Sequence, residues 1–187
     1  MAILPILEVP DPRLRRISVP VAQVDDGIRT LIADMFETMY DAPGIGLAAA
    51  QVDVPLRLLV MDLKDGPADA AGEPTPNPRV FINPELLDPS DDRNIYNEGC
   101  LSVPDQYADV ERPASVRARW LDAHGAPQEA LLDGLLATCL QHEMDHLDGI
   151  LFIDHLSRLK RGVVLKKLDK YRAERERRGT RRGTAAA

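Results

Sequence analysis

Two histidines four residues apart, His142 and His146, flank Glu143 in the sequence HEMDH and form the pattern H-E-x-x-H. Residues at this spacing lie one above the other on one face of an α-helix, so both imidazoles can reach a single metal ion. The carboxylate of Glu143 projects beside them, where it can accept or deliver a proton. The pattern therefore predicts a metal centre on a helix, although the same three residues can also meet by chance on an ordinary helix.

The H-E-x-x-H pattern supplies two metal ligands, whereas a catalytic site of this kind usually has three and leaves a fourth position for water. One protease pattern continues with a third histidine six residues after the second. This chain has Phe152 at that position, and a phenylalanine side chain cannot bind a metal, so that pattern is excluded. The remaining candidates are the downstream residues His155, Glu174 and Glu176 and the upstream segment EGCLS at 98–102, which we favour.

Length and composition indicate one globular domain with an aliphatic core. The chain has 187 residues, of which 44% are hydrophobic but only 4% are aromatic, and this length suffices to bury a sizeable core. No apolar run approaches the length of a membrane span, and the first twenty residues lack the ordered regions of a signal peptide. Two cysteines do not make a secreted disulfide framework, so we expect a cytoplasmic protein with reduced thiols.

Hydrophobic periodicity predicts an α+β fold, in which short antiparallel strands surround a central metal-binding helix, with a further helix near each end of the chain. The first helix should end near Tyr40. The metal-binding helix should be capped by Asp133 and end before Gly149, and Ser157 should cap the last helix. Predicted strands cover residues 56–63, 80–82 (ending at Asn83-Pro84), 107–110, 115–121 and 128–132.

Three segments, GIGLAAAQ at 44–51, EGCLS at 98–102 and HEMDH at 142–146, together resemble the peptide deformylase family, whose three signature motifs they match completely. The likeness extends to PDPRLR at 10–15 and covers about residues 5–165. Each motif alone is a weak or moderate signal, but the three in this order are specific. The resemblance implies a metal-dependent hydrolase that removes the formyl group from the N-terminal formylmethionine of nascent polypeptides and releases formate.

The resemblance also implies roles for individual residues. Glu143 would be the general base and acid, while Gln51 and the backbone N–H of Leu101 would stabilise the oxyanion. A thiolate with two imidazoles suits several metals; the family typically uses Fe²⁺ in the cell and often carries Zn²⁺ or Ni²⁺ when purified. The ligands of this one divalent ion would be Cys100, His142 and His146.

Substrate contacts are likewise implied by the family match. The family binds the peptide backbone at the positions of Ile45, Gly46 and Gly99, and its methionine pocket lies near Glu98, Leu135 and Cys139. Two residues depart from the pattern. Tyr107 stands where many relatives have arginine, and Thr138 replaces a more usual aliphatic residue, which could alter the methionine pocket.

Several alternatives remain open from the sequence. Cys139 lies three residues before His142 and could be a rival metal ligand, although a small buried thiol in the wall of a site is commoner. A zinc peptidase would cleave internal peptide bonds and would not need Cys100. A metal-stabilised binding module without catalysis would tolerate loss of Glu143.

The family match further suggests an ion pair between Asp145, inside the metal-binding helix, and Arg112, which follows the strand after EGCLS. We expect this pair to be buried and to tie the two ligand-bearing segments together. Removing one partner of such a pair leaves an uncompensated buried charge.

Charge is distributed unevenly along the chain. Residues 1–157 hold 11 Lys and Arg against 27 Asp and Glu, whereas residues 158–187 hold 12 against 3. We expect a single catalytic domain at 1–171 and a basic, flexible tail at 172–187, because the tail lacks an apolar stripe. A basic tail on an acidic body could make transient contact with ribosomal RNA, or it could be only a solvated helix end.

Overall fold

The computed structural model describes residues 2–184, with side chains described through Arg178. Its three α-helices and seven β-strands confirm the predicted α+β class. The helices are α1 (Asp26–Asp41), α2 (Gly134–Leu147) and α3 (Arg158–Thr184). The strands are β1 (Gly46–Ala48), β2 (Leu58–Met61), β3 (Arg79–Pro89), β4 (Arg93–Cys100), β5 (Val103–Pro113), β6 (Ser115–Leu121) and β7 (Pro127–Asp133). Within the described range, no helix is long and apolar enough to cross a membrane.

All strand pairs are antiparallel and form two sheets. The larger sheet has the order β1-β2-β3-β6-β7, and β4 pairs with β5 in a separate hairpin. Alternate residues of β2 point to opposite faces of the large sheet. Leu58 and Val60 pack in the cluster that contains Met35 and Met39 of α1. Leu59 and Met61 instead join the cluster that buries one side of α2.

The metal-binding helix is held in the centre of the molecule by its apolar side. Ala137, Leu140, Met144 and Leu147 are buried in the same cluster as the large sheet. The helix ends as predicted before Gly149, whose φ of 71° is left-handed, and the Ile150 N–H donates to the Asp145 carbonyl. Because this stripe packs against the sheet, residues on the opposite side of α2 can form the candidate site.

The structure departs from the sequence expectations at three places. The strand predicted at 80–82 continues through Pro84 to Pro89. Asn83 has a positive φ of 51°, and the strand register shifts here. Pro84 is tolerated at such an irregularity because it has no N–H to donate to the neighbouring strand. Strand β4 was missed, since its sequence has little apolar alternation. Asp133 occupies the helix N-cap, but its side chain accepts no capping hydrogen bond there, because β7 leads directly into α2.

The last helix begins as predicted, since Ser157 Oγ accepts a hydrogen bond from the Lys160 N–H. The helical backbone then continues past Tyr171 to Thr184. Arg175 of this extension forms two hydrogen bonds of 2.8 Å to the Glu8 carboxylate. The helix therefore does not end at the predicted boundary, Tyr171. The flexibility of residues 172–187 stays a prediction, and residues 185–187 lie outside the described range.

Candidate metal centre and active site

The side of α2 that faces away from the sheet carries the H-E-x-x-H residues. His142, Glu143 and His146 are all at least nine-tenths buried, and the two imidazole centroids lie 5.2 Å apart. His142 and Glu143 line a cavity of about 510 Å³, and the ligand atom of His146 lies within 4.8 Å of that of His142. The helical spacing thus brings both rings and the carboxylate to the same place, as the sequence predicted.

Cys100 is brought to the helix by the β4–β5 hairpin. The strand register shifts between Gly99 and Cys100, where β4 turns into β5. This turn aims the thiol at α2, so that Cys100 Sγ lies 3.2 Å from His146 Nε2. Within the described part of the chain, one group of metal-ligating side chains has its ligand atoms within 4.8 Å of one another, and it consists of Cys100, His142 and His146.

These three residues fit a metal ion. A tetrahedral ion with bonds of about 2.0–2.3 Å needs ligand atoms roughly 3.3–3.8 Å apart. Cys100 Sγ and His146 Nε2 are 3.2 Å apart, and all ligand atoms lie within 4.8 Å of one another, so small shifts suffice to surround one ion. Burial alone would raise the pKa of the Cys100 thiol, but the charge of His146 and hydrogen bonds from His142 and His146 lower it to about 5. The sulfur is therefore a thiolate near neutral pH, which is the form that binds metals.

Glu98 fixes the orientation of His142. Its Oε2 atom lies 2.8 Å from His142 Nδ1, so this hydrogen-bond pattern assigns the ring proton to Nδ1 and leaves the Nε2 lone pair for a metal. Arg112 holds the same carboxylate through Nε at 2.6 Å and Nη2 at 3.0 Å. The Glu98 carboxylate is thus engaged by His142 and Arg112, although Glu98 also lines the cavity.

The predicted ion pair between Arg112 and Asp145 is confirmed. Arg112 Nη1 lies 2.8 Å from Asp145 Oδ2, and both side chains are largely buried. Asp145 also lies 2.7 Å from His155 Nε2, so His155 belongs to this network and not to the cluster of ligand atoms. Arg112 therefore joins the β4–β5 hairpin, which carries Cys100, to helix α2, which carries His142 and His146.

Glu143 lies in the cavity wall with one carboxylate oxygen that lacks a hydrogen bond. Its Oε2 atom is buried and has no hydrogen-bond partner among the described residues. Burial raises the pKa of this carboxyl, because the charges of His142 and His146 offset only part of the desolvation. Gly46 lies against it so closely that an added Cβ would be 2.4 Å from Glu143 Oε1. The site thus keeps a carboxyl group of raised pKa close to a strand backbone.

Gln51 reaches the site from the turn after β1. Its Oε1 accepts a 2.8 Å hydrogen bond from the Ala48 N–H, which leaves the amide nitrogen directed toward the hairpin. Gln51 Nε2 lies 3.1 Å from Ser102 Oγ and 3.6 Å from Cys100 Sγ. Leu101 follows Cys100 in the turn and also lines the cavity. Two potential N–H donors therefore stand beside the ligand cluster.

The residues that the sequence assigned to substrate binding meet around one cavity. Cys139 is not in the ligand cluster; its Sγ is 4.0 Å from the Ile45 carbonyl, and burial raises the pKa of its thiol well above the usual value. Gly99 is required by Tyr107, because an added Cβ would lie 2.4 Å from the tyrosine ring. Six predicted residues line the cavity: Ile45, Gly46, Glu98, Gly99, Leu135 and Cys139.

Two contributions were missed by the sequence reasoning. The sequence assigned Glu98 to the methionine pocket, yet the structure shows that it also holds His142. Residues two apart in a strand share a face, so the spacing of Glu98 and Cys100 could have indicated that both face the same helix. Tyr171 of α3 lines the cavity, and no feature of the sequence indicated that the last helix would reach the site.

Comparison with known proteins agrees with this geometry. A family model described as polypeptide deformylase matches residues 3–162. A peptide deformylase of Rhizorhabdus wittichii is 70% identical over 176 residues, which are 94% of this chain and 99% of that protein.

Solved structures of the same family have the same fold. The crystal structure of a peptide deformylase from Legionella pneumophila matches with a TM-score of 0.83 and 46% identity, covering 94% of this chain and 99% of that one. The peptide deformylase from Ehrlichia chaffeensis in complex with actinonin matches with a TM-score of 0.81 and 41% identity, covering 91% and 98%. The chain therefore belongs to the peptide deformylase family, metal-dependent hydrolases that remove the N-terminal formyl group of nascent polypeptides.

Proposed function

We propose that this chain hydrolyses the formyl amide of formylmethionyl peptides with Glu143 as its acid–base residue and Cys100, His142 and His146 as its metal ligands. The observation that carries the proposal is the Glu143 carboxylate, which lines the cavity together with Cys100 and His142 and whose buried Oε2 atom has no hydrogen-bond partner among the described residues. A carboxylate oxygen without a hydrogen-bond partner can accept a proton during the reaction.

The three ligands are suited to a divalent metal of intermediate softness. We propose Fe²⁺ in the cell, and the same thiolate and imidazoles can also hold Zn²⁺ or Ni²⁺. When bound, such an ion lowers the pKa of a coordinated water toward neutrality and so makes hydroxide available. Glu98 keeps His142 in the tautomer that binds.

Glu143 handles the protons of the reaction. Its raised pKa brings the carboxyl closer to the working pH, where a group can both accept and release a proton. We propose that it takes the proton of the attacking water and passes it to the amine that leaves. Without this transfer the leaving group would be a strongly basic amide anion.

Gln51 and Leu101 stabilise the charge that develops on the formyl oxygen. The Gln51 amide is held by the Ala48 N–H, so its Nε2 donor is positioned before substrate arrives. The second donor is the backbone N–H of Leu101. One such preorganised donor contributes about 3–4 kcal/mol to transition-state stabilisation.

The peptide backbone is bound between two strand segments. Ile45 and Gly46 line one part of the cavity and Gly99 of β4 another, so an extended peptide can hydrogen-bond to both. The first side chain of the peptide then enters the pocket beside Leu135 and Cys139. We assign Glu98 chiefly to positioning of His142, since both of its oxygens are already engaged.

Formate release is the direct test of this function. Metal-loaded protein should release formate from formyl-Met-Ala-Ser and leave the peptide bonds of acetyl-Met-Ala-Ser intact. Cleavage of internal peptide bonds without formate release would indicate a zinc peptidase instead. Metal binding with neither reaction would indicate a binding module.

We further propose that the basic part of α3 brings the enzyme to ribosomal RNA in the cytoplasm. Support comes from the charge asymmetry of the chain and from the exposed side chains of Arg177 and Arg178 on this helix. Phosphate contacts weaken with salt by about 0.7–0.9 log units of affinity per log unit of salt for each contact.

A tail variant with its arginines neutralised tests this proposal without disturbing the contact of Arg175 with Glu8. Gln is placed at Arg177, Arg178, Arg181 and Arg182, and truncation after Tyr171 serves as the second variant. Both should keep activity on a short formyl peptide and co-sediment less with ribosomes at low salt. Equal co-sedimentation of all three proteins would contradict the proposal.

A further inference from the structure

The side-chain amide of Gln51 has a defined orientation beside the ligand cluster. Its Oε1 atom accepts a 2.8 Å hydrogen bond from the Ala48 N–H. Because a backbone N–H can only donate, this bond decides which end of the amide is oxygen and which is nitrogen. The amide nitrogen therefore points away from Ala48 and toward the turn between β4 and β5.

Ser102 meets that nitrogen with its hydroxyl. The Gln51 Nε2 atom donates a 3.1 Å hydrogen bond to Ser102 Oγ, and it also lies 3.6 Å from Cys100 Sγ. An amide nitrogen carries two N–H groups. When Ser102 accepts from one of them, the other stays available on the side of the Cys100 sulfur, where the metal-ligating atoms converge.

The backbones of Gln51 and Ser102 are held by the same N-terminal segment. The Leu7 N–H donates to the Gln51 carbonyl at 2.7 Å, and the Val9 N–H donates to the Ser102 carbonyl at 2.9 Å. Leu7 and Val9 are both buried in one hydrophobic cluster. The fold itself therefore sets the spacing between Gln51 and Ser102, so their side-chain hydrogen bond is formed without substrate.

From this arrangement we infer that Ser102 is a positioning residue, whose hydroxyl holds the Gln51 amide so that its second N–H points at the formyl oxygen. The inference rests on the proposed function, in which Gln51 stabilises the oxyanion. Ser102 is 0% exposed, so it acts through Gln51 and not by touching the substrate. Without the hydroxyl the amide keeps its bond to Ala48 but turns more freely about its terminal torsion, which has a broad minimum in glutamine.

Ser102→Ala removes the hydroxyl and leaves the rest of the site unchanged. We expect the metal-loaded variant to keep its full metal content and its KM for formyl-Met-Ala-Ser within twofold. Its kcat should fall about three- to tenfold, the effect of one neutral hydrogen bond. A residue with only a structural role would instead change the metal content, or kcat and KM together.

A double-mutant cycle tests whether Ser102 acts through Gln51. Gln51→Ala alone should lower kcat about 10²–10³-fold, as for other lost oxyanion donors. Adding Ser102→Ala to Gln51→Ala should then lower kcat by less than a further twofold, because no amide is left to position. Formate release at full metal content is measured for wild type, both single variants and the double variant.

Ser18→Ala is the matched control. Ser18 is a second buried serine, 4% exposed, but its Oγ atom has no hydrogen-bond partner among the described residues. Removal of this hydroxyl breaks no contact, so kcat, KM and metal content should all equal those of wild type.

An unchanged kcat in Ser102→Ala, a loss of bound metal, or the same loss of kcat with and without Gln51 would overturn the inference while leaving the proposed function in place. If wild type releases no formate from formyl-Met-Ala-Ser, the proposed function fails and this inference fails with it.

Discussion

His142 Nδ1 lies 2.8 Å from Glu98 Oε2, a contact that joins the metal-binding helix to strand β4 two residues before Cys100. Glu98 therefore links the two parts of the chain that carry the proposed ligands. Arg112 completes the link, because it binds Glu98 on one side and Asp145 on the other. The geometry of the proposed ligands depends on contacts between charged side chains as well as on helical spacing.

Glu98→Gln should weaken metal binding about 10- to 100-fold, which is the usual effect of losing a carboxylate behind a ligating histidine. The amide keeps the size of the side chain but accepts the Nδ1 proton less strongly. Competition with a chelator measures the affinity. Glu111→Gln, an exposed exchange on neighbouring β5, is the matched control, and equal affinities for the two variants would contradict the role of Glu98.

Arg112→Ala should lower the free energy of unfolding by about 3–5 kcal/mol, because the carboxylates of Glu98 and Asp145 then remain buried without their cation. Urea unfolding of the metal-loaded protein measures the change. Arg119→Ala removes a pair with Glu85 in which both side chains are more than half exposed, so its cost should stay below about 1 kcal/mol. A nearly unchanged midpoint for Arg112→Ala would show that the buried pair adds no stability.

The stability of the fold should depend on pH through the carboxyl group of Asp62. Burial would raise the pKa of this carboxyl, but hydrogen bonds from Tyr40 and the backbone N–H groups of Asn77 and Lys64 outweigh it and hold the pKa below the ordinary 3.8. A lowered pKa means that the folded state favours the carboxylate. Its contribution is therefore complete at neutral pH and is lost as pH falls below about 3.8.

Asp62→Asn should consequently be less stable than wild type by about 1–3 kcal/mol at pH 7, and the difference should shrink below pH 3.8. Denaturant unfolding at a series of pH values measures it. Asp88→Asn, at an exposed position, should show no comparable pH-dependent difference. If the difference in the free energy of unfolding between wild type and Asp62→Asn grew as the pH fell, this explanation would be contradicted.

Gly46→Ala should disturb catalysis without removing the metal. The added Cβ would lie 2.4 Å from Glu143 Oε1 and 3.0 Å from Cys139 Sγ, so the Glu143 carboxylate, the proposed acid–base group, must move. A displacement of about 1 Å can cost on the order of 10²-fold in rate. Gly162→Ala is the matched control, since nothing lies within 4 Å of its Cβ position, and it should raise stability by about 0.5–1 kcal/mol. Full activity of Gly46→Ala would argue against a fixed position for Glu143.

Helical spacing made His142, Glu143 and His146 predictable from the sequence, since the pattern depends only on local geometry. The third ligand was not predictable in this way. Reasoning from residue types left several candidates open, and only the family resemblance selected Cys100. The thiol reaches His146 through the pairing of β4 with β5, and such long-range pairing has no local signature.

The elements that sequence reasoning missed are those with weak local patterns. Strand β4 carries polar residues on both faces, because one face contacts the network around Glu98 while the other is exposed. Strand β3 continues beyond Pro84 because Asn83 leaves the regular register and hydrogen-bonds to Val21. In both cases tertiary contacts decide the structure, and hydrophobic periodicity does not report them.

Glu143→Gln tests the central claim most directly, because it changes one oxygen to nitrogen and leaves the three ligands in place. Metal content and formate release from formyl-Met-Ala-Ser are measured on the same preparation. The account predicts full metal content with a loss of kcat of about 10²–10⁴-fold, as for other lost acid–base groups. Near-normal turnover by the metal-loaded variant would contradict the assignment of proton transfer to Glu143.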